Sequence, residues 1–357
     1  MKFSAQQADM AGALAKVVPL AKTKTTVAML SNVRLEATRD GITVRTTNLE
    51  IDLEAKCAAT VERPGITCVN AAQLAGIVSA LPKAAFGVDL DMGVVHITAG
   101  RSAFKLVSAP HFEFPEPPAR LAANHAIDPA DVKWLLDGVA HSVSDAETRP
   151  NLCGVFSASD GKTLTFVSSD GHRLSLRETD WVGPEFEGIV PARAWESIAA
   201  MKTVRLAMDA HRLVAESNEG DAMSSRLIDG RFPDYKAVMP KSHKGSLVVD
   251  REALLAAIKR VGLMALDAAK TMRFRLGDGE WLIEAVTPQS GEARERIDVE
   301  AEGEVVDLGM NAGYLSQALA AVDGDKVALR TGDNQSPILV VPVGTDTTQH
   351  VIMPIRV

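Results

Sequence analysis

The sequence predicts an α+β chain in which one unit of helices and antiparallel strands is written three times. Three observations carry this prediction. An amphipathic helical phrase recurs with cap positions at Ser4, Asp128 and Asp250, 124 and 122 residues apart. Asp-Gly turns stand at Asp40-Gly41, Asp160-Gly161 and Asp278-Gly279, 120 and 118 apart. A second short helix begins near Asn70, Pro191 and Asn311, 121 and 120 apart. All three periods lie close to 119, a third of the 357 residues.

The clearest copy of the helical phrase runs from Ile127 to Val143. Asp128 can accept from the first free N–H groups, and Pro129 suits the first helical position, where no N–H is needed. Val132, Leu135, Leu136, Val139 and Val143 then recur at helical spacing. The first copy is expected from Ser4 to Val18 and the third from Asp250 to Val261. Each Asp-Gly pair lies between alternating apolar runs. Glycine supplies the positive φ of a tight turn, so each reads as a β-hairpin. The closing strands of the units are Val94–Thr98 with Ala103–Val107, Val204–Met208 with Leu213–Ser217, and Val327–Arg330 with Ile338–Val343. Proline-rich 110–124 and polar 240–245 read as linkers. The predicted domains span 1–118, 125–242 and 246–357.

Composition bounds the function. Hydrophobic residues at 46% and charged ones at 24% suit a soluble globular protein. A net charge of −8 argues against holding nucleic acid by bulk attraction. The three cysteines, Cys57, Cys68 and Cys153, have no metal-ligand spacing and cannot all pair within the chain, which suits a reducing compartment. Gln6, Gln7 and Asp9 near the start do not resemble a signal peptide, and no apolar run reaches the ~18 residues of a membrane span. A cytoplasmic location is the expectation.

Candidate chemistry is sparse. Gly161-Lys162-Thr163 resembles the end of a phosphate loop, but Phe156 stands where its first glycine belongs. Ser168-Ser169-Asp170-Gly171-His172-Arg173 contains the residue types of a hydrolase triad. Residues packed so closely on a strand or turn mostly diverge, and no nucleophile elbow is present. The plain reading is a turn with a solvated His-Arg pair. The eight histidines show no metal-binding pattern, so no metal and no cofactor are expected. Lys16, Lys22, Lys24, Lys83, Lys133, Arg193, Lys202, Lys259, Arg260 and Lys270 recur on or near the predicted helices. Such residues are usually a solvated face, but gathered on one surface they can hold a polyanion.

Three longer motifs resemble a known family. They are Ser169-Asp170-Gly171-His172-Arg173-Leu174, Ile228-Asp229-Gly230-Arg231-Phe232-Pro233-Asp234-Tyr235 through Pro240-Lys241, and the C-terminal Val351-Ile352-Met353-Pro354-Ile355-Arg356-Val357. With Met1-Lys2-Phe3 and Leu30-Ser31-Asn32 they look like the bacterial β sliding clamps, along the full length and in the same order. The resemblance implies three DNA-clamp domains per chain, with antiparallel sheets outside and two helices per domain lining a ring. Two subunits would close head to tail around duplex DNA, without sequence specificity and without catalysis. DNA polymerase subunits and a clamp loader would dock through short apolar peptides; no membrane is involved.

The same resemblance assigns residues. A partner-peptide pocket would comprise Leu152, Ser169, Gly171, His172, Arg173, Leu174, Pro233, Val238, Tyr314, Val351, Ile352, Met353, Pro354, Ile355 and Arg356. Apolar peptide anchors would each gain roughly 1.5–3 kcal/mol on burial there, and Met353 would adapt to varied partners. The competing reading makes this C-terminal tail an edge strand only. Lys24, Arg149 and Arg193 match DNA-facing positions. Phe104 and Leu106 would meet Leu263 and Met264 of a second subunit. The chain departs from the family at Ala237 beside the pocket, at Pro150-Asn151 near the DNA, and at Gln73 and Val94, where basic interface residues are common. Those departures keep a second reading open, a clamp-like peptide-binding scaffold that does not stably encircle DNA. A hydrolase using Ser169 and His172 is the third.

Overall fold

The computed structural model describes residues 1–22, 25–118, 121–267, 270–277, 279–287 and 291–356. Contacts gather it into two compact units, Met1–Val132 with Arg193–Leu227, and Lys133–Ala192 with Ile228–Val357. The middle third is shared between them because its two groups of strands join different sheets.

Seven helices occur among the described residues: α1 (Gln7–Ala21), α2 (Ala71–Ala80), α3 (Pro129–Val139), α4 (Ala192–Ala199), α5 (Tyr235–Val238), α6 (Arg251–Val261) and α7 (Ala312–Ala321). The starts of α1, α3 and α6 are 122 and 122 residues apart; those of α2, α4 and α7 are 121 and 120 apart. The predicted chemistry sets several of these starts. Asp128 accepts from Ala130 N at 2.8 Å, Asp250 from Ala253 N at 2.8 Å, Asn70 from Gln73 N at 3.0 Å and Asn311 from Tyr314 N at 3.1 Å.

Ser4 is not a cap. Phe3 and Ala5 are buried on one face of the strand Lys2–Gln6, which pairs on both sides, and α1 begins only at Gln7. Alternating burial here overrides the helical pattern. The second copy of the phrase also stops early. Gly138 weakens the helix, the Ser168 hydroxyl takes the Val139 carbonyl, and a 3₁₀ turn covers Ala140–Ser142.

The first unit holds two antiparallel sheets. One has five strands in the order Ala59–Arg63, Lys2–Gln6, Ala85–Asp91, Val94–Ala99, Ser102–Val107. The other has eight: His125–Ile127, Val204–Met208, Arg212–Ser217, Ala222–Arg226, Ile51–Cys57, Gly41–Thr47, Asn32–Thr38, Gly65–Asn70. The second unit holds a nine-stranded sheet: Glu185–Val190, Val155–Asp160, Thr163–Ser169, Arg173–Asp180, Thr348–Ile352, Ile338–Pro342, Lys326–Thr331, Gly245–Asp250, Glu300–Gly303. Its four-stranded sheet runs Gly291–Asp298, Glu280–Thr287, Thr271–Gly277, Leu308–Asn311. The closing strands of each unit fall within a residue or so of their predicted places. Two Asp-Gly hairpins form as expected, with Gly41 at φ +126° and Gly161 at φ +89°. Asp278 of the third lies outside the described residues, and Gly279 beside it has φ +78°.

Two joints in these sheets matter below. In the first unit, Ile51–Cys57 pairs with Ala222–Arg226. In the second, Arg173–Asp180 pairs with Thr348–Ile352. No described helix is long and apolar enough to cross a membrane.

Candidate peptide-binding site and open sheet edges

The C-terminal tail first forms an interior strand. Thr348–Ile352 lies between Arg173–Asp180 and Ile338–Pro342, so the edge-strand reading is corrected. Leu174 stands opposite Val351, and Arg173 opposite Ile352. Alternation sends Val351 into a cluster with Leu152, Leu174, Leu176, Phe232 and Leu339, and Ile352 into the core beneath α6 and α7. Beyond the strand, Met353 N donates to His172 O at 3.0 Å and Ile355 N to Gly309 O at 2.8 Å.

The residues assigned to a cleft divide into a buried set, its floor, and an exposed set, its rim. Leu152, Leu174 and Val351 are buried; Pro233, Val238, Gly171, His172, Met353 and Arg356 are exposed; Ser169, Tyr314, Pro354 and Ile355 are half-buried. Val238 and Met353 are large apolar side chains left exposed. All fifteen assigned pocket residues lie in the second unit.

The turn at the rim uses its polar groups internally. Ser169 Oγ donates to Arg173 O at 2.7 Å, and Asp170 accepts from the backbone N–H of His172 and Arg173 at 2.9 and 3.1 Å. The Ser169 hydroxyl is thus engaged by backbone and His172 faces outward, which leaves no Ser-His pair. Arg173 is not solvated as expected. Its Nε donates to Asp170 at 3.0 Å, its guanidinium lies 4.3 Å from the Tyr314 ring centre, and it also bonds Gln317 and the His141 carbonyl. The planar guanidinium suits this combination of stacking and fork-like donation.

Beneath the cleft lies a polar cluster that sequence reasoning missed. His350 Nδ1 is 2.9 Å from Ser175 Oγ, which is 3.1 Å from His141 Nε2 and 2.7 Å from Ser142 Oγ. Burial, and then the charges of Arg173 and Arg177, push His141 down to about 4. Burial also drives His350 well below its ordinary range, with His141 and Arg177 adding to the effect. Arg177 is buried, stacks 4.0 Å from the Trp134 ring centre, and donates to Ala321 O at 2.8 Å and Asp323 at 2.7 Å. It pins α3 to the end of α7. A lone arginine in a strand pattern gives no sequence signal of this. Asn151, one of the departures, donates to Arg231 O at 3.0 Å and closes the rim.

The assigned DNA-facing and interface residues fall as follows. Lys24 lies outside the described residues. Arg149 reaches Asp170 O at 2.8 Å, which places it on the cleft rim, and Arg193 reaches Pro19 O at 2.9 Å. Several helix cations are paired: Lys16 with Asp221 at 2.6 Å, Lys133 with Asp137 at 2.5 Å, and Lys202 with Glu219 at 3.1 Å. Ser102–Val107 ends the five-stranded sheet and Gly291–Asp298 ends the four-stranded one, so each offers unpaired backbone groups. On the first edge Phe104 is half-buried and Leu106 buried, while Val107, not assigned from the sequence, is exposed. Near the second edge Leu263 is exposed and Met264 half-buried. Cys57 and Cys68 are buried, and burial pushes both thiols up to about 11. The described residues contain no group of His, Cys, Asp and Glu that could hold a metal.

This arrangement of repeated sheets matches known proteins. Family models of the DNA polymerase III beta subunit match in series: the N-terminal domain over residues 1–118, the central domain over 126–234 and the C-terminal domain over 236–356. The chain belongs to the bacterial β sliding clamp family. A "Beta sliding clamp" of Pseudomonas putida is 29% identical over the whole of both chains, and that of Escherichia coli K12 is 26% identical, also over the whole of both. Among solved structures, the DNA polymerase III subunit beta of Pseudomonas aeruginosa is 27% identical and superposes with a TM-score of 0.93, covering all of both chains. The beta subunit of Thermotoga maritima shares the fold at a TM-score of 0.94 and 22% identity, covering 100% of this chain and 99% of its own. The clamp fold with its three repeated domains is therefore the fold of this chain.

Proposed function

We propose that this clamp chain forms a ring-shaped homodimer that encircles duplex DNA and tethers replicative and repair DNA polymerases for processive synthesis. It is a non-catalytic subunit; Ser169 and His172 shape a turn. The observation that carries the reading is the pair of open sheet edges, Ser102–Val107 and Gly291–Asp298, in a chain matched from end to end by β-clamp domains. Joined between two copies, they would extend each sheet and remove both exposed edges.

The finer reading has three domains over 1–118, 125–242 and 246–357. Polymerases and an ATP-driven clamp loader dock through peptides of the Gln-Leu-x-Leu-Phe kind in the cleft around Leu174, Val238 and Met353. Lys24, Arg149 and Arg193 face DNA, and Phe104, Leu106, Leu263 and Met264 lie at the subunit boundary. The protein works in the cytoplasm. With a net charge of −8 and several helix cations already paired, attraction alone would hold DNA weakly, whereas enclosure needs no strong contact.

The test loads the protein onto nicked circular DNA with a compatible clamp loader and ATP, then washes at high salt. The clamp stays on the circle and leaves within minutes once the circle is cut, because only the topology has changed. Phe104→Asp, which sets a charge at the joined edge, shifts the dimer to monomer in sedimentation and abolishes retention. Equal retention on circular and linear DNA would leave the scaffold reading.

A further inference from the structure

The floor of the assigned cleft and the polar cluster beneath it share two strands. Neighbouring side chains on a strand point to opposite faces. Leu174 and Ser175 are neighbours on Arg173–Asp180, as are Val351 and His350 on Thr348–Ile352. Leu174 stands opposite Val351, and Ser175 opposite His350. The two apolar floor residues are thus backed, one register step away and on the reverse face, by a polar pair.

That pair is bonded across the joint. Ser175 Oγ contacts His350 Nδ1 at 2.9 Å, His141 Nε2 at 3.1 Å and Ser142 Oγ at 2.7 Å. A hydroxyl has one proton and two lone pairs, so it can serve all three at once. Ser142, Ser175 and His350 are buried and His141 is half-buried. His350 Nε2 is buried with no hydrogen-bond partner among the described residues, so the ring is held through Nδ1. The 3₁₀ turn Ala140–Ser142 is tied down once more by Arg173, which donates to the His141 carbonyl.

The first joint does this differently. There Asp52 stands opposite Ser224, and one step on Leu53 stands opposite Met223, both buried. Apolar packing backs a polar pair in that joint, whereas hydrogen bonds back an apolar pair in the second. Packing is non-directional, but a shared hydroxyl fixes both distance and angle.

We propose that Ser175 and His350 are positioning residues for the cleft: their bond across the joint, shared with His141, holds Leu174 and Val351 at the spacing that a docking peptide meets. The inference rests on the peptide reading above and names what keeps that site in shape.

A fluorescent Gln-Leu-x-Leu-Phe peptide is titrated with the full chain and read by anisotropy, at a temperature where circular dichroism shows each variant folded. His350→Leu fills the ring's place but gives Ser175 no partner, and affinity falls about fivefold, the effect of one buried hydrogen bond. His350→Asn leaves a gap but keeps a polar atom where Nδ1 stood, and stays within about twofold of the wild type. Packing alone would rank these two variants in the opposite order. Ser175→Ala removes a single oxygen, also falls about fivefold, and decides the question should His350→Leu not fold. Met223→Ala, a loss of buried volume at the first joint, lowers the denaturation midpoint and leaves affinity unchanged. Wild-type affinity in folded His350→Leu or in Ser175→Ala, tighter binding by His350→Leu than by His350→Asn, or an equal fall in Met223→Ala overturns the positioning role and leaves the cleft standing. A wild-type chain that does not bind the peptide removes the cleft reading and this inference with it.

Discussion

The two joints share a register but not a chemistry. In the first unit, Thr47 stands opposite Asp52 and Asp52 opposite Ser224; in the second, Ser169 stands opposite Leu174 and Leu174 opposite Val351. One row on, Arg45, Glu54 and Ala222 take the places of Val167, Leu176 and Gln349. The first joint is therefore polar where the second is apolar. Even the covering segments correspond: Phe114-Pro115-Glu116 and Phe232-Pro233-Asp234 are 118 residues apart. Phe114 lies against the Arg45 guanidinium at 5.5 Å, and Arg45 donates to Pro115 O at 2.7 Å, which straps the segment down. Phe232 instead stacks on Phe156 at 5.2 Å and joins the apolar cluster of Leu174 and Val351. A repeated fold supplies the same joint twice. The side chains at two or three register positions make one joint polar and the other apolar.

The largest effect should come from giving the second joint the first joint's chemistry. Leu174→Asp places an unpaired carboxylate in the floor of the cleft, where Asp52 has Arg45 as its partner and Leu174 has none. Affinity for a Gln-Leu-x-Leu-Phe peptide should fall at least about tenfold, ~1.4 kcal/mol, in a variant whose circular dichroism is unchanged at the temperature of measurement. Removing Met353 to Val357 should weaken binding by a similar factor. Unchanged affinity in both variants would end the cleft assignment.

The reverse exchange acts on stability and leaves peptide binding untouched. Asp52→Leu leaves the Arg45 guanidinium buried with only carbonyl partners, and should cost about 3 kcal/mol in denaturant unfolding. It should create no new peptide site, because Phe114 and Pro115 still cover the position. Wild-type stability would mean that the strap is held by its apolar contacts alone.

Much of this was legible in the sequence and some was not. The period came through because Asp and Asn caps and Asp-Gly turns act locally, within three or four residues. Ser4 misled because strand alternation and helical spacing overlap over so short a stretch. The cleft residues were assigned by resemblance; the Phe-Pro-acid repeat at Phe114 and Phe232 is a separate sequence signal of the paired joints. Arg177, His141 and His350 could not have been singled out. Their importance comes from burial against distant segments, and no local pattern encodes that.

Those histidines give a smaller, pH-dependent effect confined to the second unit, since the described first unit has no buried histidine. Burial lowers His141 to about 4, against an ordinary value of 6.5, and lowers His350 as well. Below pH ~6.5 the unfolded chain takes up protons that the folded chain refuses, so stability is present above that value and is lost as pH falls toward ~4. The denaturation midpoint should drop between pH 7 and pH 5, and the double variant His141→Gln with His350→Gln should flatten the dependence. An equal slope in that variant would assign the loss to carboxylates elsewhere.

The central claim is that one joint of two binds partners. Titration calorimetry with a Gln-Leu-x-Leu-Phe peptide tests it directly. The expected stoichiometry is one peptide per chain, with a single micromolar site, about −8 kcal/mol, that Leu174→Asp eliminates. Two or more equivalent peptides per chain, or one that persists in Leu174→Asp, would contradict it.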